Sequence, residues 1–139
     1  MEVLTEHIKV GTHGNSEVIN ITDQVAALLQ KHHLKEGTAT LFVVGSTASL
    51  TTTEFEPGLR KDIPEMLERI APGDIRYHHD DTWKDGNGHA HVRASFLGPS
   101  LVVPFANGEL LLGTWQQIVL IDFDNRARNR NLVVQFMGK

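Results

Sequence analysis

The residues of this chain that are best suited to chemistry are concentrated between Tyr77 and Arg93. This stretch holds four of the eight histidines, three aspartates, an asparagine and an arginine. Neutral imidazole binds zinc and other first-row divalent ions, and carboxylates complete such sites. The spacing of the histidines matches no known zinc signature. The stretch is therefore a candidate metal or anion site, and the alternative is a solvated polar loop that leads into an edge strand.

The sequence also predicts how the last part of this stretch places its side chains. Residues 85–88 read Asp-Gly-Asn-Gly, and Gly and Asn tolerate the positive φ that tight turns need. The segment 91–97 is predicted to be a strand, in which residues two apart share a face. His89, His91 and Arg93 are then expected to project together from the start of that strand.

The elements around this stretch predict a mixed α+β domain. Helical periodicity predicts one helix over 22–34, capped by Thr22, and a second over 59–70. Pro64 lies inside the second helix, so we expect a kink there or a helix that begins again at Asp62. Strands are predicted at 3–10, 17–21, 38–44, 48–55, 91–97, 100–105, 109–113, 115–123 and 131–137. The expected fold is a large, mostly antiparallel or mixed sheet or sandwich that is covered by two main helices.

Length and composition limit the classes of function. A chain of 139 residues fits one domain, 1–139, and can bury a real core. The net charge of −4 argues against a general nucleic-acid binder, and the absence of cysteine excludes thiolate metal sites and cysteine catalysis. No apolar run approaches the ~20 residues that a membrane span needs, and no signal-peptide pattern is present. We expect a cytoplasmic protein without a membrane or nucleic-acid partner.

Two further clusters of polar residues are candidates for binding. Residues 45–49 read Gly-Ser-Thr-Ala-Ser, and the amides and hydroxyls of such a turn can hold an oxyanion. The tripeptide Gly-Ser-Thr is, however, common in turns that bind nothing. Residues 113–117 read Gly-Thr-Trp-Gln-Gln, and Trp and Gln can contact a flat heterocycle. A Trp at the start of a strand more often packs in the core, so we predict that Trp115 is mainly structural.

Three segments of the chain form a specific pattern: DGNGHAHVRASFLGPSL at 85–101, Val103-Pro104 and GELLLGTWQQI at 108–118. They closely resemble the YjbQ-like family, which is also called the secondary thiamine-phosphate synthase family. Several upstream positions fit the same pattern: Ser46-Thr47-Ala48, Glu54, Pro57, Asp62, Pro72 and the residues from Tyr77 to His79. The resemblance covers nearly the whole chain.

The resemblance implies a compact α+β fold, a homotrimer with a polar pocket near a subunit interface, and a divalent metal, Zn or Mg, held by histidines. The matching positions in this sequence are His79 and His91, with Glu54, Asp85, Asn87 and Gln116 nearby. Many family members have a histidine where this chain has Gly45, and commoner members lack His89. Either His89 replaces the missing ligand, or it is a polar residue at the end of a solvated loop.

Three functions remain open from the sequence. The first is a transferase of the thiamine-phosphate synthase type that acts on small phosphorylated heterocycles, with Ser46, Thr47, Arg93 and Gln116 as substrate-binding residues. The second is a metal-dependent hydrolase of a small phosphorylated or acyl substrate, with Glu54 or Asp85 as base and Asn87 beside them. The third is a non-enzymatic trimeric binding module that the polar loop seals.

Overall fold

A computed structural model of the protein describes residues 1–139, and it contains eight strands and four helices. The elements, in chain order, are β1 (Glu2–Thr12), β2 (Glu17–Asn20), α1 (Thr22–Lys31), β3 (Gly37–Val44), β4 (Ala48–Glu54), α2 (Pro57–Ile70), α3 (His78–Trp83), α4 (Gly88–Leu97), β5 (Ser100–Ala106), β6 (Glu109–Leu110), β7 (Gln116–Asp122) and β8 (Arg128–Gly138). The predicted α+β class is confirmed. No helix combines the length and the apolar character that crossing a membrane requires.

The strands form two antiparallel sheets. The larger sheet has the order β1-β8-β3-β5-β6, and the smaller has the order β2-β7-β4. Their inner faces pack on each other around a core of 18 buried residues, to which α1 contributes Val25 and Leu29. Alternation of apolar and polar residues along β1, β3 and β8 produces this arrangement, because successive side chains of a strand point to opposite faces.

Strand β7 is buried on both faces, and this fixes the position of α4. Ile118 and Leu120 belong to the core between the sheets. Val119, Ile121 and Phe123 face the other way and form a second core with Leu67 of α2 and with Ala90 and Ala94 of α4. The small side chains of α4 let the helix lie close to the smaller sheet. The fold therefore has three layers: the larger sheet, the smaller sheet, and a layer of α2 and α4.

Several local predictions are wrong. The segment predicted as a strand at 91–97 is the body of α4, and α3 is a further helix that was not predicted. Of the two alternatives for Pro64, the new start at Asp62 is wrong and the kink stays a prediction. Helix α2 begins at Pro57 and runs through Pro64, and the Glu56 carboxylate caps it by accepting from the amides of Gly58 and Leu59. The side chain of Trp115 does not pack in the core, since the residue is 71% exposed.

The N-terminus of α1 also differs from the prediction. Ile21, not Thr22, is the cap residue. The Thr22 hydroxyl accepts a hydrogen bond from the amide of Ile118 at 2.8 Å, so this side chain ties α1 to β7. The Asn20 side chain accepts from the amide of Thr22 at 3.0 Å and supplies the local turn contact instead.

Candidate functional site

A tight turn between α3 and α4 brings the polar residues of the central stretch together. Lys84 and Gly86 both have positive φ, 56° and 68°, and the chain reverses direction between the two helices. The Asp80 carboxylate accepts from the amide of Gly88 at 3.0 Å and so holds the start of α4 against α3. Asn87, which directly precedes α4, is thereby placed beside His79 on α3.

Three polar atoms converge at this turn. His79 Nε2 lies 3.1 Å from Asn87 Oδ1 and 3.4 Å from Asp85 Oδ1. Asn87 Oδ1 lies 2.9 Å from Asp85 Oδ1. The amide oxygen and the carboxylate oxygen are both acceptors, so no hydrogen lies between them whichever nitrogen of His79 carries the proton.

The amide of Asn87 lies between two groups of acceptors. On one side are Asp85 and His79, and on the other side Asn87 Nδ2 donates to Asp124 Oδ1 at 3.3 Å. Exchanging the amide nitrogen and oxygen lets the amide donate to Asp85 and His79, but the oxygen then faces Asp124. One amide cannot donate to both sides at once. A cation among His79, Asp85 and Asn87 would satisfy both sides, because the oxygen would then bind the cation while the nitrogen still donates to Asp124.

The geometry and the chemistry of this cluster fit a divalent ion. Ligand atoms at ~2.1 Å from one ion are ~3.0 Å apart in octahedral and ~3.4 Å apart in tetrahedral coordination. The three observed separations, 2.9, 3.1 and 3.4 Å, fall in this interval within 0.1 Å. Imidazole nitrogen together with carboxylate and amide oxygen suits first-row divalent ions. Asp80 also offers an oxygen within 4.8 Å of the ligand atoms of His79 and Asp85.

His91 lies next to this cluster. Its ring is tilted against that of His79, with the ring centroids 4.3 Å apart. His91 lies in the first turn of α4, and its amide donates to the carbonyl of Asn87, the residue before the helix, at 3.3 Å. Burial and the neighbouring His79 ring lower the pKa of His91, which keeps its imidazole neutral and able to bind a metal.

A buried polar network supports the cluster from behind, and its centre is Asp124. The Asp124 carboxylate accepts from Asn87, from the Thr47 hydroxyl at 3.0 Å, from Arg128 Nε at 3.0 Å and from the amide of Asn125 at 2.8 Å. Burial alone would raise the pKa of Asp124, but these hydrogen bonds outweigh it and lower the pKa. Asp124 therefore stays a carboxylate and fixes the orientation of the Asn87 amide.

The same network contains a buried ion pair. Arg130 donates to Asp122 from Nε at 2.7 Å and from Nη2 at 2.9 Å, and Thr12 donates to Asp122 at 2.5 Å. Arg130 Nη2 also donates to Thr47 Oγ1 at 2.6 Å. Burial alone would raise the pKa of Asp122, but the bonds from Arg130 and Thr12 lower it. The two carboxylates and the arginines are thus joined through Thr47.

The sequence placed His89, His91 and Arg93 on one face, and the structure separates them. In a helix, residues two apart point in nearly opposite directions. The ring of His89 lies 6.4 Å from that of Tyr77, away from His79, and burial and Arg93 lower the pKa of His89. Arg93 is buried and donates to the Ala71 carbonyl, to Ser16 and to Glu68, so it ties α4 to the loop after α2 and to the turn before β2.

Other residues named from the sequence lie far from the cluster. In the pairing of β4 with β7, Ala48 faces Asp122 and Glu54 faces Gln116. Glu54 is therefore six residues, ~20 Å of extended strand, from the end of β4 that adjoins the network. The Gln116 amide is engaged with Thr52 and with the amide of Gly113. Ser46 is exposed in the turn before β4, whereas Thr47 belongs to the buried network.

Sequence reasoning missed Asp122, Asp124, Arg128 and Arg130, the charged residues of the network. The signal for the aspartates was available: they interrupt an otherwise apolar run at the end of β7, and a carboxylate at the end of a buried strand requires a partner. The arginines lie within a segment, 126–130, that reads as an ordinary charged turn.

Comparisons with known proteins agree with the fold. The sequence model of the family described as UPF0047 protein YjbQ-like matches residues 6–139. A UPF0047 protein of Methanothermobacter thermautotrophicus is 37% identical over 139 residues, which is 100% of this chain and 95% of that protein. A UPF0047 protein of Archaeoglobus fulgidus is 39% identical over 119 residues, which is 86% of this chain and 90% of that protein.

Two solved structures are closely similar. A crystal structure from Sulfolobus solfataricus P2, described as a YbjQ-like protein of unknown function, has a TM-score of 0.93 at 35% identity and covers 99% of both chains. A crystal structure of a hypothetical protein from Aeropyrum pernix K1 has a TM-score of 0.90 at 30% identity and covers 100% of both chains.

Proposed function

The chain belongs to the UPF0047 YjbQ-like family, and from this premise we propose that it is a metal-dependent enzyme that acts on a small phosphorylated heterocycle. His79, Asp85 and Asn87 hold the ion, and His91 and Asp80 are the adjacent donors. The observation that carries the proposal is the convergence of His79, Asp80 and Asp85, whose ligand atoms all lie within 4.8 Å of one another. The imidazole ligand favours Zn²⁺ over Mg²⁺, which prefers oxygen ligands.

The reaction that we propose is a transfer of the thiamine-phosphate synthase type. The ring nitrogen of a thiazole phosphate forms a bond to the methylene carbon of a pyrimidine diphosphate, and the carbon–oxygen bond breaks with diphosphate as the leaving group. A bound divalent ion supplies positive charge for a leaving diphosphate. The attacking ring nitrogen carries no proton, so the reaction needs no general base.

The position of the carboxylates favours transfer over hydrolysis. A hydrolase needs a base that takes a proton from the attacking water. Glu54 lies at the far end of β4, and Asp85 lies 3.4 Å from His79 Nε2 as a proposed ligand of the ion. Asp80 accepts from the amide of Gly88 and holds α4 in place. Of the two carboxylates named as the base, Glu54 thus lies elsewhere and Asp85 is a proposed ligand of the ion, and the neighbouring Asp80 is held by Gly88.

Metal binding is tested first, on protein purified without a histidine tag. His79→Ala is expected to weaken Zn²⁺ binding at least tenfold, because it removes one ligand of the cluster. The matched control is His78→Ala, since this neighbouring side chain is 94% exposed and outside the cluster. Calorimetric titration with Zn²⁺ and elemental analysis measure both variants. Equal affinity in the two variants would show that His79 is not a ligand.

Turnover is tested separately. The metal-loaded protein is incubated with the pyrimidine diphosphate and the thiazole phosphate, and product and diphosphate are measured. A generic phosphate ester is the parallel substrate. Formation of both products in equal amounts, lost in His79→Ala and retained in His78→Ala, supports the transferase. Hydrolysis of the generic ester alone would favour the hydrolase, and inertness towards all substrates would favour a binding module.

We also propose that the protein assembles as a homotrimer. The family resemblance motivates the stoichiometry, and an uncovered sheet face supplies the surface. The outer face of the larger sheet has no helix against it and carries exposed apolar side chains, namely Val3, Phe42, Val44, Val102 and Met137. Apolar patches of this kind on small proteins commonly mark interfaces. Light scattering at micromolar concentration should give three times the 15.5 kDa mass of the chain, and a monomer mass would contradict the proposal.

A further inference from the structure

Arg130 is a buried arginine, and one nitrogen of its guanidinium makes no hydrogen bond. The residue is only 6% exposed, and its Nε and Nη2 atoms are held by Asp122 and Thr47. None of these hydrogen bonds involves Nη1, the remaining nitrogen of the guanidinium. A guanidinium carries five N–H donors and no acceptor, so two donors of Arg130 are without a partner in the protein.

The free nitrogen of Arg130 faces Gly45. A Cβ atom at Gly45 would lie 2.8 Å from Arg130 Nη1, so the lack of a side chain at this position leaves room next to the nitrogen. His89 Nδ1 is the one side-chain polar atom that is both inaccessible to solvent and without a hydrogen bond. Arg130 Nη1 also lacks a hydrogen bond but does not meet the first condition. Arg130 Nη1 therefore retains access to solvent. Gly45 and Ser46 beside it are exposed.

We propose that Arg130 Nη1 and the Gly45–Ser46 turn form a binding site for an oxyanion, either a phosphate or a carboxylate group. Hydrogen bonds from a guanidinium to such groups are charge-assisted and about twice as strong as neutral ones. Asp122 and Thr47 already fix the guanidinium, so binding does not have to order a flexible side chain. The exposed hydroxyl of Ser46 is a second donor at the same turn.

The position of this site gives it a place in the proposed reaction. Arg130 is linked to the ligand cluster by hydrogen bonds that run through Thr47 and Asp124 to Asn87. The site thus holds the anionic end of a substrate whose reacting part lies at the cluster. This last step rests on the proposed function, whereas anion binding by Arg130 does not depend on a metal.

The test blocks the space at Gly45 and leaves the arginine in place. Gly45→Ala puts a methyl group against Arg130 Nη1. The matched control is Gly98→Ala. Both glycines have a positive φ, 149° at Gly45 and 93° at Gly98, but a Cβ at Gly98 meets nothing within 4 Å. Both variants are titrated calorimetrically with inorganic phosphate, and separately with acetate, in the presence of EDTA. Gly45→Ala is expected to weaken binding of the preferred anion at least tenfold, and Gly98→Ala to leave it within twofold of wild type.

Three outcomes would overturn the inference: no saturable binding of either anion to wild type, equal affinity in the two glycine variants, or loss of anion binding in His79→Ala under EDTA. If Gly45→Ala does not fold, amide chemical shifts of the wild-type protein decide. Phosphate-induced shifts at Gly45 and Ser46 support the site, and shifts confined to residues 126–128 contradict it. If the protein binds the anion but not Zn²⁺, the anion site is supported and the proposed function fails. If it binds Zn²⁺ but not the anion, the anion site fails and the proposed function is unaffected.

Discussion

The orientation of a single amide, that of Asn87, decides whether the cluster can bind a cation. Asn87 is 4% exposed, and its nitrogen donates to Asp124 while its oxygen faces Asp85 and His79. Asp124 is thus the residue that turns the oxygen towards the ion. Groups that orient a metal ligand commonly change metal affinity 10–100-fold when they are replaced.

We predict from this that Asp124→Asn weakens Zn²⁺ binding by about 10–100-fold. The variant can rotate its own amide to face Asn87 with an N–H group, and Asn87 then donates to Asp85 and His79. Asp81→Asn is the control, because this carboxylate is half exposed and pairs with Arg76 at the surface. Calorimetric titration measures the affinity, and circular dichroism confirms that both variants are folded. Wild-type affinity in Asp124→Asn would refute the orienting role.

Asp122 leads to a second prediction at this scale, which concerns pH. Its pKa is lowered below the ordinary value of 3.8 in the folded protein, since the hydrogen bonds from Arg130 and Thr12 outweigh the effect of burial. A carboxylate with a lowered pKa stabilises the fold above its ordinary pKa, and this contribution is lost as the pH falls through the folded value. Asp122→Asn removes the carboxylate that holds the buried Arg130 and leaves only Asp124, 3.9 Å from Nη2, which costs up to about 3–5 kcal/mol.

Urea unfolding at pH 7 and at successively lower pH checks this prediction. The difference in free energy of unfolding between wild type and Asp122→Asn should be largest at pH 7. It should shrink as the pH falls from 3.8, where this carboxyl group is protonated in the unfolded chain, through the lower pKa of the folded protein. Asp74→Asn, at an exposed position, is the control and should change stability by less than ~0.5 kcal/mol. A difference that does not depend on pH would exclude the ion pair as its cause.

At the scale of elements, the strands were largely predictable and the site helix was not. Alternating burial along β1, β3 and β8 reflects a period of two in the sequence. Residues 89–93 read His-Ala-His-Val-Arg, which also alternates, and they form a helix. The competing signal was the pair Ala90 and Ala94, four residues apart, which packs α4 on the smaller sheet. Tertiary contact with that sheet decides the structure, and a local pattern does not contain this contact.

The wrong assignment changed the composition of the site. A strand places His89 with His91, whereas the helix places Asn87 with His91 and turns His89 towards Tyr77. Composition and resemblance were sufficient to name His79, Asp85 and Asn87. The contacts of Asp124 and Arg130 with Thr47 and Asn87 could not be derived, because they join segments distant in sequence and depend on sheet register. The sequence marked only the aspartates, which interrupt the apolar run at the end of β7.

Packing at the start of α4 gives a prediction for this element. An Ala in place of a helical Gly normally stabilises a protein by about 0.4–1 kcal/mol. At Gly88 a Cβ would collide with the side chain of Tyr77, so Gly88→Ala is expected to destabilise the fold by about 1–3 kcal/mol. Tyr77 precedes α3, so the displacement should also move His79 and weaken Zn²⁺ binding.

Thermal unfolding and Zn²⁺ titration of Gly88→Ala measure the two effects. Gly73→Ala is the control, since a Cβ there makes ordinary contacts at 3.8 Å with Glu68 and His89. The double variant Gly88→Ala, Tyr77→Gly removes the collision, because the atom nearest to the added Cβ is Tyr77 Cβ, and it should recover part of the lost metal affinity. A melting temperature for Gly88→Ala at or above that of wild type would show that α4 is not seated against Tyr77.

At the scale of the whole molecule, the two faces of the larger sheet differ in what covers them. The inner face packs on the smaller sheet and α1, while the outer face has no covering element. On that outer face the pairing of strands places Phe42, on the central strand β3, between Val133 on β8 and Ser100 at the start of β5. A large aromatic side chain that is 45% exposed at the centre of a sheet is expected to be buried by a partner.

Phe42→Glu is therefore predicted to dissociate the proposed trimer while leaving the chain folded. A charge at the centre of an apolar interface loses its hydration on assembly without gaining a partner, whereas on a monomer it stays in water. Light scattering should give the 15.5 kDa chain mass for Phe42→Glu and three times that mass for wild type. Phe96→Glu is the control, because Phe96 is 72% exposed on α4, in the opposite layer of the fold. A trimer that survives Phe42→Glu, or one that Phe96→Glu dissociates instead, would move the interface from the sheet to the helical layer beside the ligand cluster.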